Sequence, residues 1–408
     1  MGDVIHGDFS KNMRYEEKIQ CVLCGVEKVV GDDSIPFISS DKTHICGNCV
    51  EESYTLLKDH FHTDAVIDSK KTPSKIVEFV SQYVIGQDNA KKTLALAIYN
   101  HFKRINNKKF DDVEIQKSNV LLIGPSGSGK TLLVQTIAKF LDIPFTIADA
   151  TTLTESGYVG NDVESIFQSL LHAANNDIEK AQHGIVVIDE IDKIAKKSLG
   201  ASLSKDPGGE GVQQSLLKII EGTICDVPTN GKRKSPNEGN QQIDTSHILF
   251  IFAGAFVNLD DIIKQNTSTN VGIGFGATVD KNITVRDPEP EDLYKFGFIP
   301  EFVGRMPVIC KLEELDVSDL VKILTEPKNS VIKQFQTLVK MDGVTLEFTR
   351  DALHQIAQIA YDRKTGARGL RAIVENILKP HLYTLPDKEN VSIMKVSFNK
   401  EEFKVTCK

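Results

Sequence analysis

Residues 120–132 read Val120-Leu121-Leu122-Ile123-Gly124-Pro125-Ser126-Gly127-Ser128-Gly129-Lys130-Thr131-Leu132: an apolar strand, a glycine-rich loop and the start of a helix. A Walker A phosphate loop requires this succession. The glycines allow backbone N–H groups to surround an anion, and the helix N-terminus adds its positive dipole there. Lys130 can reach the β- and γ-phosphates, and Thr131 can bind Mg²⁺. The alternative, a chance glycine-rich turn, leaves the flanking strand and helix unexplained.

A second apolar strand ends in two carboxylates. Residues 185–190 read Ile185-Val186-Val187-Ile188-Asp189-Glu190 and follow the phosphate loop in the chain, as a Walker B element does. Asp189 can hold Mg²⁺ directly or through water, and Glu190 can orient and activate the attacking water. Such an ending is common on buried strands, so it indicates a nucleotide site only together with the Walker A loop. Glu190 favours hydrolysis, and no guanine-reading Asn-Lys-x-Asp motif is present in the sequence, which favours ATP over GTP.

The composition is that of an ordinary globular protein. The 408 residues are 40% hydrophobic and 25% charged, and a chain of this length allows two or three domains. The net charge of −8 disfavours a protein that mainly coats nucleic acid. The longest apolar run, residues 248–257, is too short to span a bilayer, and the N-terminus has no apolar signal segment. We therefore expect a cytoplasmic protein with no membrane and no nucleic-acid partner.

Two Cys-x-x-Cys pairs near the N-terminus predict a zinc site. The predicted ligands are Cys21, Cys24, Cys46 and Cys49, and in a reducing cytosol this spacing indicates metal binding rather than disulfides. Four thiolates complete a tetrahedral Zn²⁺ shell without an open position, so the predicted site is structural. His44 is predicted to be a bystander. The alternative, four unrelated core cysteines, is the weaker interpretation because the pair occurs twice.

The charge of this zinc module bears on its partner. Residues 1–62 contain six Lys and Arg against eleven Asp and Glu, a balance of −5. A zinc ribbon that reads nucleic acid is normally basic. We therefore expect the module to bind proteins or to dimerise.

From Pro73 onward, helix and strand patterns alternate, which predicts an α/β fold with a parallel sheet wrapped by helices. The predicted strands are Val120–Ile123, Phe145–Ala148, Ile185–Ile188 and Ile248–Phe252. One predicted helix runs from Val163 to Ala181. After about Val317 helical patterns dominate, beginning with Ser318 to Lys340, which predicts a smaller, mainly helical domain. The predicted divisions are a zinc-binding module with an N-terminal tail (1–62), a linker (63–72), a large ATPase domain (73–316) and a small C-terminal domain (317–408).

Further motifs follow in a fixed order, namely Gly157-Tyr158-Val159-Gly160, Ile273-Gly274-Phe275, Glu301-Phe302-Val303-Gly304-Arg305 and Gly366-Ala367-Arg368. Singly they are weak, because a short segment between two glycines is usually a turn and a lone Arg usually forms a surface ion pair. In this order, with the Walker elements and the four cysteines, they resemble the ClpX family, the AAA+ unfoldase subunits of a bacterial ATP-dependent protease. The resemblance extends from about Cys21 to the C-terminus. It implies an AAA+ P-loop domain followed by a small AAA+ domain.

The resemblance implies roles for residues around the nucleotide. Val84 and Ile85 resemble the segment that packs on adenine. Arg305 resembles an arginine finger, which would reach the nucleotide of a neighbouring subunit and stabilise transition-state charge there. Arg368 resembles the sensor-2 arginine, which binds the nucleotide and reports its state from the small domain. The predicted catalytic set is therefore Lys130, Asp189, Glu190, Arg305 and Arg368, and the predicted cofactors are ATP, Mg²⁺ and Zn²⁺.

The resemblance also implies three segments that contact other proteins. Tyr158 and Val159 are predicted to grip a substrate polypeptide in a central pore, where an aromatic side chain contacts any sequence through its apolar area. Lys232-Arg233-Lys234 stands where the ClpX family usually carries Arg-Lys-His, and it keeps the positive charge that attracts acidic tails. Ile273, Gly274 and Phe275 are predicted to dock on a ClpP-type peptidase. The alternative for this last segment is a loop folded back on its own core.

These implications predict a homohexameric ATPase, not itself a peptidase, that unfolds protein substrates and threads them into a ClpP-type peptidase. Unfolded or tagged substrate proteins and adaptors are predicted to bind through the zinc module. Two alternatives stay open: a stand-alone remodelling chaperone without a peptidase, and a zinc-ribbon nucleic-acid motor. The Ile273-Gly274-Phe275 segment disfavours the first, and the acidic zinc module disfavours the second.

Overall fold

The computed structural model describes residues 18–29, 36–40, 43–60, 71–106, 113, 115–154, 161–196, 209–227, 241–269, 286–387, 391–399 and 401–408. The chain divides into two units, Met1–Ala65 and Val66–Lys408.

Two short hairpins and a helix make up the N-terminal unit. Strands β1 (Lys18–Gln20) and β2 (Glu27–Val29) pair antiparallel, as do β3 (Phe37–Ser39) and β4 (His44–Cys46), and α1 (Gly47–His60) follows. The core of this unit consists of Cys21, Cys46 and Cys49, with Phe37 and Ile45 packed against them. So small an apolar core does not stabilise a fold by buried area alone, and units of this size usually need a metal or another cross-link.

The second unit carries the larger set of elements. Its helices are α2 (Pro73–Ser81), α3 (Asp88–Asn106), α4 (Lys130–Leu141), α5 (Ser165–Ala173), α6 (Ile178–Gln182), α7 (Glu210–Glu221), α8 (Leu259–Thr269), α9 (Pro290–Phe296), α10 (Pro300–Gly304), α11 (Val317–Thr325), α12 (Val331–Met341), α13 (Arg350–Asp362) and α14 (Gly366–Thr384). Its strands are β5 (Val120–Ile123), β6 (Phe145–Asp149), β7 (Leu153–Thr154), β8 (Asn161–Asp162), β9 (Ile185–Asp189), β10 (Ile224–Val227), β11 (Gln241–Asp244), β12 (Leu249–Gly254), β13 (Val308–Lys311), β14 (Thr345–Phe348), β15 (Ile393–Asn399) and β16 (Glu402–Cys407). None of the described helices is both long enough and apolar enough to cross a membrane.

A parallel sheet forms the centre of this unit, with its described strands in the order β13-β5-β12-β9-β6. Ile251 of β12 lies opposite Val120 on one side and Val187 on the other, so β12 separates the two strands that carry the Walker elements. Both β5 and β12 are buried along their whole length. Helices α2 to α4 cover one face of the sheet and α5 to α10 the other, which is why these strands are apolar throughout. The predicted α/β fold is confirmed.

All four predicted strands are present, as β5, β6, β9 and β12, although β12 begins one residue later than predicted and ends at Gly254. The edge strand β13 is missing from the sequence-based prediction. Its apolar run is only Val308, Ile309 and Cys310, which is too short to separate a strand from a loop by pattern. Pairing with β5, which sets Val308 opposite Val120, makes it a strand.

Two predicted helices are wrong as single elements. The helix predicted from Val163 to Ala181 is the pair α5 and α6, because Asn175 and Asn176 adopt φ of 56° and 62° and end the first helix. The helix predicted from Ser318 to Lys340 is the pair α11 and α12. It is interrupted around Pro327, whose ring does not permit a continuous helix.

The C-terminal part has a core of its own, formed by α11 to α14 and a three-stranded sheet of described residues in the order β14-β15-β16. Strand β15 is parallel to β14 and antiparallel to β16. Central residues of this core are Leu320, Leu346, Ile356, Leu370 and Met394. The predicted smaller, mainly helical C-terminal region is confirmed. The division points after residues 62, 72 and 316 stay predictions.

Candidate functional site

The Walker A loop forms an open backbone cradle between β5 and α4. Gly124 N donates to Gly254 O at 3.2 Å, which ties the loop to the end of β12. Gly127 and Gly129 adopt φ of 77° and 97°, a region that favours glycine, and a Cβ at Gly129 would meet no atom within 4 Å. The buried Ser128 hydroxyl has no hydrogen-bond partner in the described part of the chain. An open cradle and an unpaired buried hydroxyl at the N-terminus of α4 fit a phosphate group.

Lys130 is folded back into this loop. Its Nζ donates to Gly124 O at 2.7 Å and to Pro125 O at 3.0 Å, and only 9% of the residue is exposed. Burial lowers the pKa of Lys130, and the nearby carboxylates of Asp189 and Asp192 oppose that shift. An ammonium held by two carbonyl oxygens inside the loop is placed to bind a phosphate oxygen, which is the stronger, charged acceptor.

The ends of the two Walker elements meet at Thr131 and Asp189. Thr131 Oγ1 donates to Asp189 Oδ2 at 3.2 Å, and Asp189 Oδ1 accepts from Glu190 N at 2.9 Å. Glu190 adopts φ of 55°, so the chain turns sharply after β9, and the residue is exposed. A hydroxyl and a carboxylate are the oxygen ligands that Mg²⁺ prefers, and this pair fits the ion.

The C-terminal part of the chain closes over the Walker A loop. Ala367 N donates to Gly127 O at 3.2 Å, and a Cβ added at Gly127 would lie 2.6 Å from Thr365 O. Arg368, in the first turn of α14, is exposed, and its charge contributes to the lowered pKa of Lys130. A cavity of about 200 Å³ lies at this contact and is lined by Pro125, Ser126, Gly127, Ser128, Glu314, Leu315, Leu320, Tyr361, Lys364 and Gly366.

Val84 and Ile85 lie in the connection between α2 and α3. Val84 is buried in the core that covers one face of the sheet, Ile85 is half-buried, and neither lines the 200 Å³ cavity. Their contact with adenine stays a prediction. Gln87 beside them makes two hydrogen bonds to one backbone unit: its Nε2 donates to Glu313 O at 2.9 Å, and its Oε1 accepts from Glu313 N at 2.8 Å. Because Glu313 lies between β13 and α11, Gln87 anchors the connection to the C-terminal part.

The N-terminal unit brings its four predicted zinc ligands together. The Sγ atoms of Cys21, Cys24, Cys46 and Cys49 lie within 4.8 Å of one another, and those of Cys24 and Cys46 are 3.5 Å apart. A tetrahedral Zn²⁺ with bonds of about 2.3 Å needs sulfur atoms about 3.8 Å apart, so the four thiols fit the ion. Hydrogen bonds from the backbone N–H of Cys24 and then of Cys46 lower the pKa of Cys21 to about 6, which favours the thiolate that binds metal. His44 is outside this cluster.

Comparison with known proteins agrees with this architecture. Residues 115–309 match the AAA domain (Cdc48 subfamily), and residues 315–396 match the C-terminal, D2-small domain, of ClpB protein. The ATP-dependent Clp protease ATP-binding subunit ClpX of Treponema denticola is 51% identical over 352 residues, which cover 84% of each chain. The chain belongs to the ClpX family. The prediction of an AAA+ ATPase that uses ATP and Mg²⁺ is thereby confirmed, and the four-cysteine cluster is consistent with the predicted Zn²⁺.

In this ClpX-family chain, Arg305 lies apart from the phosphate loop. It caps the C-terminus of α10 and is exposed, and its Nη2 lies 2.7 Å from Oε1 of Glu221. No hydrogen bond or ion pair within the described ranges joins it to Lys130, Thr131 or Asp189. The structure thus unites four of the five predicted catalytic residues around the loop and leaves Arg305 at another surface of the subunit.

Gln213 is a structural residue of this site that sequence reasoning missed. It is fully buried on α7, where its Nε2 donates to Ile194 O and its Oε1 accepts from Ile299 N, both at 2.9 Å. It therefore joins the turn after the Walker B strand to the segment that leads into α10. The sequence carried a signal for it, because Gln213 interrupts the apolar stripe of α7 formed by Val212, Leu216, Ile219 and Ile220.

The predicted protein-binding segments fall outside the described residues. These are the pore residues Tyr158 and Val159, the basic residues Lys232, Arg233 and Lys234, and the docking residues Ile273, Gly274 and Phe275. Their assignments stay predictions. For the last segment, the chain on either side is described: Asn266 precedes it, Arg286 follows it, and both donate to the buried carboxylate of Asp292.

Proposed function

We propose that this ClpX-family chain is an ATP-dependent protein unfoldase that forms a homohexamer and delivers its substrates to a ClpP-type peptidase. The observation that carries the proposal is the similarity to a ClpX described as the ATP-binding subunit of the ATP-dependent Clp protease. The Walker site supports it, because a phosphate loop in contact with two parts of the chain can convert nucleotide state into their relative movement.

Four residues perform the chemistry within one subunit. Lys130 binds the β- and γ-phosphate oxygens, and Thr131 and Asp189 hold the magnesium ion, which neutralises phosphate charge when bound. Glu190 orients the attacking water and accepts its proton. The direct bond between Thr131 and Asp189 and the exposure of Glu190 support this division of roles.

The small C-terminal part reads the nucleotide state. Arg368 stands in the first turn of α14, whose Ala367 already touches the Walker A loop at Gly127. Phosphate bound in the loop attracts the Arg368 guanidinium, and loss of the γ-phosphate weakens that attraction. The connection held by Gln87 and Glu313 then acts as the hinge about which the small part turns.

Arg305 acts between subunits. Its guanidinium stabilises charge on the nucleotide of a neighbouring copy of this chain, which requires a ring in which each site borders the next subunit. The exposure of Arg305 and its separation from its own phosphate loop support this role.

The remaining roles concern other proteins. Tyr158 and Val159 move with the ATPase cycle and pull the substrate chain, while Lys232, Arg233 and Lys234 attract its acidic or carboxylate end. Ile273, Gly274 and Phe275 dock on the peptidase ring. The acidic zinc module captures tagged substrates and adaptors.

A fluorescence assay tests the proposal. The full chain is mixed with ATP, a ClpP-type peptidase and a green fluorescent protein that carries a degradation tag. We expect fluorescence to disappear with the wild-type chain and to persist with Glu190→Gln, which binds ATP without hydrolysing it. Phe275→Ala should hydrolyse ATP at the wild-type rate and yet fail to support degradation, because it lacks the docking side chain.

Two results would contradict the proposal. Steady ATP consumption with unchanged fluorescence would separate the ATPase from the proposed unfolding of tagged proteins. If fluorescence instead disappears when the peptidase is left out, and also disappears with the Phe275→Ala variant, the result would support a stand-alone remodelling chaperone.

A further inference from the structure

The guanidinium of Arg305 is held by a carboxylate at the end of α7. Arg305 Nε and Nη2 lie 3.1 and 2.7 Å from Oε1 of Glu221, the last residue of that helix. Both side chains are about half exposed, at 52% and 44%. A guanidinium has five N–H groups, so this contact leaves Nη1 and one N–H of Nη2 available for another acceptor.

The backbone of Arg305 is fixed separately. Asn119, which is only 2% exposed, donates from Nδ2 to Arg305 O at 2.9 Å and accepts from Phe250 N through Oδ1 at 3.3 Å. Asn119 directly precedes β5, the strand that ends in the phosphate loop. The Cα of Arg305 is therefore set by the central sheet, and only the direction of its long side chain is left to be determined.

The position of Glu221 is equally well determined. Helix α7 is anchored by the buried amide of Gln213, which bonds to Ile194 O and Ile299 N. Ile194 follows the Walker B strand and Ile299 precedes α10, so α7 is fixed relative to both the hydrolytic carboxylates and the segment that bears Arg305. A carboxylate on so constrained a helix can select one orientation of a flexible arginine.

We propose that Glu221 is a positioning residue for Arg305 that holds its guanidinium with the Nη1 side available for the phosphates of a neighbouring subunit. This inference rests on the trans role of Arg305 proposed above. An exposed ion pair contributes little to the stability of the fold. Its effect here is on orientation, because an arginine that is already oriented loses less side-chain freedom when it binds the transition state.

A double-mutant comparison tests this role in the full-length assembled protein. We expect Glu221→Ala to lower kcat of ATP hydrolysis by about 10- to 100-fold with KM changed by less than about twofold. Glu221→Gln keeps an acceptor oxygen, so its kcat should lie between those of the wild type and Glu221→Ala. Arg305→Ala should lower kcat of ATP hydrolysis about 1,000-fold or more. Adding Glu221→Ala to Arg305→Ala should cost nothing further, because the residue acts only through the arginine.

Asp260→Ala is the matched control. Asp260 forms an exposed ion pair with Lys311 at 2.8 Å, which is comparable in length and exposure to the Glu221–Arg305 pair, and the variant should hydrolyse ATP at the wild-type rate. Size-exclusion chromatography of every variant checks that the ring still forms.

Mixed rings supply a readout that a merely structural role would not change. Rings of Glu190→Gln subunits and rings of Glu221→Ala subunits should each be slow. In rings assembled from both, a Glu221→Ala site that borders a Glu190→Gln subunit has an intact Glu190 and an intact Glu221–Arg305 pair. In an equal mixture about a quarter of all sites are of this kind. We therefore expect activity about 3-fold above that of Glu221→Ala rings if that variant has lost ~10-fold, and about 25-fold above if it has lost ~100-fold.

The outcomes separate this inference from the function on which it rests. Normal hydrolysis by Arg305→Ala would refute the trans role of Arg305 itself. A slow Arg305→Ala with a normal or faster Glu221→Ala would refute the positioning role alone, and a faster variant would make Glu221 an inhibitor of Arg305. Absence of recovery in mixed rings, or an additive loss in the double variant, would show that Glu221 acts within its own subunit's site.

Discussion

Thr131 and Asp189 are joined directly: Thr131 Oγ1 donates to Asp189 Oδ2 at 3.2 Å. Thr131 lies beyond the end of β5 and Asp189 ends β9, and these two strands are not neighbours in the sheet. Strand β12 lies between β5 and β9, so the bond spans the carboxyl end of β12. The parallel arrangement brings both strand ends to the same edge. The oxygen pair that would hold magnesium therefore comes from two parts of the chain that meet only at this edge of the sheet.

Removing the Thr131 hydroxyl should weaken the response to magnesium. We expect Thr131→Ala to lower kcat about 10- to 100-fold and to raise the Mg²⁺ concentration needed for half-maximal activity. Thr131→Ser, which keeps the hydroxyl, should stay close to wild type. Thr151→Ala is the control, because Thr151 Oγ1 donates to Asp149 in an exposed hydroxyl–carboxylate pair of the same chemistry. Magnesium titrations of ATPase activity measure all three, and an unchanged magnesium response in Thr131→Ala would remove Thr131 from the metal site.

A methyl group at Gly127 should separate the small C-terminal part from the Walker A loop. Its Cβ would lie 2.6 Å from Thr365 O and 3.0 Å from Gly366 Cα, and both neighbours are backbone atoms that cannot move aside cheaply. We expect Gly127→Ala to destabilise the protein by about 1–3 kcal/mol beyond the cost of its positive φ. It should also weaken ATP binding, which is measured by titration calorimetry.

Gly343→Ala is the control for Gly127→Ala. Its φ of 78° is nearly that of Gly127, and a Cβ there meets nothing within 4 Å. The backbone strain is thus shared by the two variants, and only Gly127→Ala adds the clash. Equal ATP affinity in the two variants would show that the contact between Gly127 and Ala367 has no part in nucleotide binding.

Asp292 should make the fold sensitive to acid. Its carboxylate is fully buried, and although burial by itself raises its pKa, hydrogen bonds from Arg286, Glu289 N and Asn266 lower the pKa of Asp292 below its usual value. A carboxyl whose pKa is lower when folded stabilises the protein above the unfolded pKa of about 4 and loses that contribution as pH falls further. We expect Asp292→Asn to cost about 2 kcal/mol at pH ~7 and progressively less below pH ~4.

Urea unfolding at several pH values, followed by circular dichroism, measures this difference. Asp261→Asn, at an exposed residue with a Lys264 partner 3.9 Å away, serves as the control and should change little at any pH. If the free energies of unfolding of the wild type and Asp292→Asn differed by the same amount at every pH tested, the prediction would be wrong. Since Asn266 and Arg286 flank the predicted docking segment, Asp292→Asn should also reduce peptidase-dependent degradation more than ATP hydrolysis.

Loss of zinc should affect the N-terminal unit alone. We expect Cys49→Ser to lower bound zinc from about one ion per chain to background, because the closed four-sulfur shell is then incomplete. Limited proteolysis of the full chain should cut more rapidly within residues 1–65, while the ATPase rate stays unchanged since the phosphate loop belongs to the other unit. Cys407→Ser, outside the cluster, should keep its zinc. Full zinc content in Cys49→Ser would exclude that residue as a ligand.

Local patterns in the sequence predicted the strands that consist of an uninterrupted apolar run. Strands β5, β9 and β12 were recognisable because they are continuous apolar runs buried on both faces. The helix boundaries at Asn175 and Pro327 were missed, since the apolar periodicity continues across each break and only the backbone conformation ends the helix. Strand β13 was missed because its partner, not its composition, makes it a strand.

The sequence by itself determined the phosphate loop, the Walker B carboxylates and the four thiols predicted to bind zinc. Each of these depends on residue types at short, fixed spacings, which a local pattern records completely. The tertiary structure alone decided which distant groups pair with one another: Gln87 with Glu313, Gln213 with Ile299, and Glu221 with Arg305. These partners lie on helices and connections that are far apart in the chain and meet only when it folds. Since hydrogen bonding and charge act over a few ångströms of space and not over sequence separation, only the folded chain reveals them.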